Sequence, residues 1–416
     1  MQIVSNIVLY TMMAFVLIGA AFAIRNSDSG IGKEFLQGIH SIGHLFVPVA
    51  GIMASIPYLT TAVEKGAGPI WQALGADPSI AATTFIASDM GGYQLAFATA
   101  GDSGAWITAM VTGFMAGATI VFTVPVGLAM LQKTDQRYMA LGIMSGVLTI
   151  PIGVLVTMVI IMITRPLIRG DVRTTGPSET VIDGLNIQEL LANLLPLLLI
   201  VVAIAAGLKF APGFMIKAFI IFGRLIDAAV KIILALSIVE YFTGIFTKMF
   251  GAWGFEPIIA TADDHFRALE VVGAVGIMLA GAFPMVYAIN KFLAGPLSRL
   301  GNRVGIGETG VTGMLGGAAN ALALFHVVKN MSPRDKVISI AFVVCGGFLL
   351  GDHLSFTANF QPNLIGAVLV GKLTAAILAI VLARYIAVPT AERLAQKDEP
   401  FPRLRHTRVA ARATHD

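Results

Sequence analysis

Long apolar runs recur along the chain from Ile3 to Ile386, separated by short polar or charged turns. A helix needs about 20 apolar residues to cross ~30 Å of hydrocarbon, whereas a membrane barrel shows shorter, alternating segments. The runs fit helices, so the pattern predicts an all-α, polytopic membrane helical bundle of about 9–11 hydrophobic segments. Ile3–Ile24, Phe46–Val63, Trp106–Leu131, Met139–Ile163, Ile187–Leu208, Phe214–Phe246, Leu269–Ile289, Val337–Phe356 and Leu364–Ile386 read as spans. Ile80–Thr99 and Thr309–Val328 are broken by "SDMGG" and "GGAAN" and predict two interrupted or re-entrant helices. The first run has no basic stretch before it and exceeds the apolar core of a signal peptide, so it reads as a retained helix.

The connections give orientation. Loop Lys and Arg residues favour the cytoplasm, and their distribution places the C-terminus there whether the interrupted segments cross or turn back. Residues 1–389 form the transmembrane domain in this reading, and 390–416 a basic, proline-containing cytoplasmic tail expected to be mobile beside anionic headgroups. "TDQRYMALGIMSG" (Thr134–Gly146) echoes "PRDKVISIAFVVCGG" (Pro333–Gly347), with Asp135 matching Asp335. An inverted repeat with a broken helix in each half is an architecture of secondary transporters.

Composition agrees with the pattern and excludes several functions. The 416 residues are 56% hydrophobic and 12% charged, against roughly 25% charged in soluble domains, and the mean hydropathy is +0.82. The net charge of +4 sits in loops and tail, where it reports orientation and contact with the lipid bilayer and predicts no nucleic acid partner. A single cysteine, Cys345, gives neither a disulfide nor a cysteine-based metal site. No phosphate-binding loop, His-Glu-x-x-His pair or nucleophile elbow is present, so the expectation is no enzyme, no catalytic residue, no metal and no cofactor. Small-residue patterns such as "GMLGG" (Gly313–Gly317) leave homo-oligomers open.

Charges inside spans cost at least ~2.5 kcal/mol and usually face a cavity or a partner. Asp89 is such a charge. Gly91 and Gly92 behind it let a helix unwind and expose carbonyls, which with the carboxylate outline a cation site; Tyr93 adds a ring and hydroxyl and Gln94 an amide. Asp352 and His353 stand side by side, and adjacent residues on a helix diverge by about 100°, so they act together only if the helix breaks there. Asn320 lies in the second interrupted segment among small neighbours. Asp227 with Lys231, and Arg267 with Glu270, have the spacing of local ion pairs.

Several passages together resemble one family. "LGADPSIAATTFIASDMGGYQLA", "ATIVFTVPVGL", "DQRYMALGIMSGVLTIPIG", "GLKFAP", "RALEVVG", "MLAGAFPMV" and "RDKVISIAFVVCGGFLLGDHLSF" are similar to the bacterial ethanolamine utilization permeases, the EutH proteins. The resemblance implies uptake of ethanolamine through the bacterial cytoplasmic (inner) membrane, without a catalytic step. On the residues, substrate binding is expected at Asp89, Gly91, Gly92, Tyr93, Gln94, Asn320, Asp352 and His353. An ion-coupled secondary transporter for another small amine or cation is the competing expectation.

Overall fold

The protein, described over residues 2–262 and 264–398 of a computed structural model, is all-helical; among these residues the extended pairing is an isolated antiparallel bridge, Ile168 to Thr180. α1 (Gln2–Arg25) and α2 (Gly30–Ala54) are followed by α3 (Ile56–Ala62), which runs through a π-helical stretch, Val63–Ala67, into α4 (Gly68–Ala73). α5 (Pro78–Phe85) and α6 (Gly92–Thr99) are the halves of the first interrupted segment. α7 (Ser103–Thr112) continues through a second π-helical stretch, Gly113–Thr123, into α8 (Val124–Met130). α9 (Gln136–Val147) and α10 (Ile150–Thr164) lead by a long loop to α11 (Ile187–Phe210), α12 (Pro212–Thr243) and α13 (Ile245–Phe250). After α14 (Ala268–Arg303) come α15 (Glu308–Ala319) and α16 (Ala321–Val327), the second interrupted segment, then α17 (Pro333–Gly346), α18 (Asp352–Phe360), α19 (Ile365–Ile386) and α20 (Val388–Asp398).

Among the described residues, seven helices are long and apolar enough to cross a membrane: Gln2–Arg25, Gly30–Ala54, Ser103–Met130, Gln136–Thr164, Ile187–Phe210, Ala268–Arg303 and Pro362–Ile386. Three segments read from the pattern as spans differ: Phe46–Val63 is divided at Ser55 between the end of α2 and α3, and the membrane-length helix there is Gly30–Ala54. α12 is long enough but carries charged side chains, with Lys231 bonded to Asp227 at 2.6 Å on an exposed face. Val337–Phe356 is divided between α17 and α18, because Gly347 and Gly351 flank a non-helical connection. Both interruptions expected from the polar insertions are present.

Burial sorts the helices. In an 18-residue apolar stretch of the central Ser103–Met130 segment 89% of the residues are buried, against 11% in that of Gln2–Arg25. Apolar side chains of α1, α11 and α12, such as Leu17, Leu199 and Phe242, are exposed, as a lipid-facing surface requires. The echoing segments form α9 and α17, which pack on each other. Gly142 and Gly146 permit this approach, since a Cβ there would stand 2.7 Å from Ile340 and 2.6 Å from Val344. Lys336 Nζ bonds Asp135 Oδ1 at 2.6 Å across the pair, both side chains largely buried.

The expected Arg267–Glu270 ion pair is replaced by a cap. Glu270 accepts the Arg267 backbone N–H at 3.1 Å, while the Arg267 guanidinium bonds Glu256 at 2.6 Å and Asp264 at 2.9 Å. The start of the expected tail is helical: α20 packs on α17 and buries Ala391. Residues 399–416, the rest of the expected mobile tail, lie outside the described residues.

Candidate functional site

The first break is built by local chemistry. Asp77 caps α5, accepting from the Ser79 N–H at 2.8 Å, with Pro78 opening the helix. The helix ends as Ile86 and Ala87 turn extended, and a single 3-10 turn, Ser88–Met90, carries Asp89. Ser88 Oγ donates to the Met110 carbonyl of α7 at 2.8 Å and pins that turn to the centre of the protein. Gly91 then takes φ +94°, a left-handed conformation that favours glycine, and α6 restarts.

The other two breaks satisfy each other. Asn320 is extended between α15 and α16, and its Oδ1 caps α16 at the Leu322 N–H, 2.9 Å away. The end of α15 leaves carbonyls without helical partners. The α17–α18 connection supplies donors: Phe348 N–H bonds the Gly317 carbonyl at 3.2 Å and Leu350 N–H the Ala318 carbonyl at 2.8 Å. Phe348 has φ +57°, uncommon for a side-chain-bearing residue, and its carbonyl accepts the His353 N–H at 3.2 Å. Asp352 and His353 thus form the first turn of α18, where the helix dipole favours a carboxylate.

The breaks meet at a cavity of about 420 Å³ lined by Asp89, Asn320, Asp352 and His353. His353 Nε2 lies 3.8 Å from Asp89 Oδ2. The imidazole packs against the Phe114 ring at 4.7 Å and Phe348 at 5.4 Å. Asp89 Oδ1 and both His353 ring nitrogens are buried with no hydrogen-bond partner among the described residues. Buried polar atoms are nearly always satisfied, so atoms of this kind beside a cavity are suited to a ligand. Phe122, Phe283 and Phe348 form apolar wall.

The remaining expected residues stand behind the first break, not on the cavity wall. Gly91 and Gly92 shape the backbone; a Cβ on Gly92 would lie 2.6 Å from the Ala87 carbonyl. Tyr93 is fully buried with its ring against Trp106, Phe356 and Phe360, and its hydroxyl accepts from Gln361 Nε2 at 2.8 Å. Gln361 also holds the long loop, accepting from Arg169 N–H and donating to the Arg169 carbonyl, each at 2.9 Å. Partial burial of Arg169 in that loop lowers its guanidinium pKa from the ordinary value. Gln94 is buried in α6, and its amide O and N have no hydrogen-bond partner among the described residues.

Two sets of residues escaped the pattern. Gln37, Ser41 and His44 of α2 also line the cavity. Their spacing, i, i+4, i+7, is a polar stripe on one helix face and was legible. Lys372 lies in the middle of apolar α19, fully buried, with Nζ donating to the Phe114 carbonyl at 3.0 Å.

These features define a multi-pass, all-helical membrane protein whose interrupted helices surround a cavity carrying carboxylates and an imidazole. The family model "Ethanolamine utilisation protein, EutH" matches residues 4–386. The chain is 35% identical to the probable ethanolamine permease EutH of Listeria monocytogenes over 386 residues, 92% of this chain and 94% of that protein. Identity is 34% with the protein of that name from Salmonella typhimurium, covering 91% and 95%, and 33% with that from Escherichia coli, covering 95% and 98%. The chain belongs to the EutH family. No solved structure matches it.

Proposed function

We propose that this protein is a permease that admits ethanolamine through the bacterial cytoplasmic membrane, with its C-terminus in the cytoplasm and its substrate held in the cavity between the interrupted helices. The observation that carries this reading is the juxtaposition of Asp89, Asp352 and His353 on one cavity, with Asp89 Oδ1 and the imidazole nitrogens unpartnered among the described residues. The names of the relatives, probable ethanolamine permeases, support the substrate.

Ethanolamine joins an ammonium to a hydroxyl through two carbons. Its N–H groups suit the acceptor oxygens of Asp89 and Asp352, and charge-assisted bonds of this kind are the stronger ones. The hydroxyl can donate to a His353 nitrogen or accept from Asn320, whose Oδ1 already caps α16 and whose amide N–H groups remain to be offered. Gly91, Gly92 and Tyr93 serve this site indirectly by fixing the break that presents Asp89, and Gln94 stands in the next turn of α6.

The neutral amine crosses lipid unaided, whereas its cation meets a desolvation barrier. Uptake of labelled ethanolamine by proteoliposomes should therefore exceed that of empty liposomes most clearly at low pH, where the cation dominates. Equal uptake with and without protein at every pH rejects the reading. Choline makes no N–H bonds and should compete poorly; stronger competition by choline, or uptake that needs Na⁺, would favour a carrier for another amine.

A further inference from the structure

Lys372 has no role in the reading above, yet it is the most unusual residue in the membrane region. It stands in α19 with 0% exposure. A lysine near the end of a span extends its stem to the headgroups; this one is sealed. Its ammonium donates to the carbonyl of Phe114, in the π-helical stretch Gly113–Thr123, and π-helical turns cluster at functional sites.

The contact leads back to the cavity. The Phe114 ring that follows the acceptor carbonyl packs on His353, which lies 3.8 Å from Asp89. Lys372 acts electrostatically on Asp89, His353 and Cys345. Asp89 acts on Asp352 as a like charge. The elements packed on α19 add little else at this depth. α10 and the π-helical stretch contain no titratable side chain. The charges of α17 and α9 gather in their first turns around Asp135 and Lys336, with Arg334, Asp335, Arg137 and Tyr138, and Lys336 is nine residues, ~13 Å, along α17 from Cys345. Tyr10 and Arg25 of α1, and Glu392, Arg393 and Lys397 of α20, are further titratable groups on neighbouring helices.

The count of charges is then informative. Asp89 and Asp352 supply two carboxylates to the cavity wall, with the His353 imidazole beside them against the Phe114 and Phe348 rings. With both carboxylates ionised, a neutral imidazole and no internal cation, such a site would need two positive guests to become neutral in a low-dielectric region. We propose that Lys372 is the cavity's built-in counter-cation, balancing one carboxylate so that Asp89 and Asp352 admit a single cationic substrate. This rests on the reading of the protein as an ethanolamine permease and adds its stoichiometry: the loaded cavity is neutral, the empty one carries one negative charge, and one charge moves per ethanolamine.

Charge movement and labelled ethanolamine uptake, measured together in proteoliposomes at fixed membrane potential, test this. The wild type is expected to carry one charge per ethanolamine and to be indifferent to Na⁺. Lys372→Met, close in shape but uncharged, is expected to carry two, the second supplied by Na⁺ or H⁺ from the bath. Lys372→Arg, which keeps the charge, should stay at one. An inserted Lys372→Met protein that transports with one charge and no new cation requirement overturns the inference and leaves the permease reading intact. If Lys372→Met fails to insert or transport, a Lys372→Arg protein that carries one charge per ethanolamine supports the inference, and one that fails as Lys372→Met does overturns it. A wild-type protein that moves no ethanolamine overturns both.

Discussion

Asp89 is expensive to place where it is: a carboxylate in a membrane interior, 7% exposed, with one oxygen unpartnered among the described residues. Asp89→Asn keeps the shape and removes the charge. A hydrogen bond to a charged group contributes about 1.5–3 kcal/mol, so this substitution is expected to weaken ethanolamine binding about 10- to 100-fold, read as loss of the substrate-induced thermal shift. A protein that keeps the wild-type shift would place the ammonium elsewhere. At this scale the sequence was partly legible. Asp89, Asn320, Asp352 and His353 stood out because polar groups in apolar runs need a reason, and all four reach one cavity. Tyr93 and Gln94 were drawn in by adjacency, but α6 restarts after a left-handed residue, and the direction in which its side chains emerge is not readable from spacing. Lys372 gave no periodic signal that separates a sealed lysine from one that extends to the headgroups.

At the scale of elements, the first break depends on Gly91. A side-chain-bearing residue in the left-handed region costs roughly 1–2 kcal/mol, and a Cβ there would also meet Ile52 Cγ2 at 2.8 Å. Gly91→Ala should therefore lower thermal stability and reduce uptake, whereas Gly43→Ala, where a Cβ meets nothing within 4 Å in α2, should not. Equal stability of the two variants would show that the turn tolerates a side chain. The breaks at "SDMGG" and "GGAAN" were legible through their polar and small residues. The third was legible only as a condition for Asp352 and His353 to act together, because "GGFLLG" between α17 and α18 is apolar and its non-helical backbone is stabilised by the carbonyls of α15, a tertiary partner no local pattern reveals.

Over the whole molecule, class and membrane placement followed from hydropathy alone, since ~20-residue apolar helices have few other destinations. What hydropathy did not give is the pairing of distant segments. Asp135 and Lys336 join α9 to α17 across some 200 residues of sequence with both side chains little exposed. Removing one member of a buried pair costs about 3–5 kcal/mol, while removing both is often much milder. Asp135→Asn or Lys336→Met is expected to destabilise the protein more than the double variant, and a double-mutant cycle on thermal or denaturant unfolding gives the coupling. Additive effects would make the contact incidental.

The shared hydrogen bonds of Phe348 and Leu350 with Gly317 and Ala318 bear on motion. Separating the two segments would strand four polar groups in an oily interior, so they should swing as one body, whereas the turn bearing Asp89 is tied instead to α7 through Ser88 and Met110. Spin labels placed at Ala323 of α16 and at Asn359, the residue of α18 that is not fully buried, should then keep their separation as ethanolamine is added, while either label drifts relative to one at Phe85 of α5; a changing α16–α18 distance would mean that the joint itself opens.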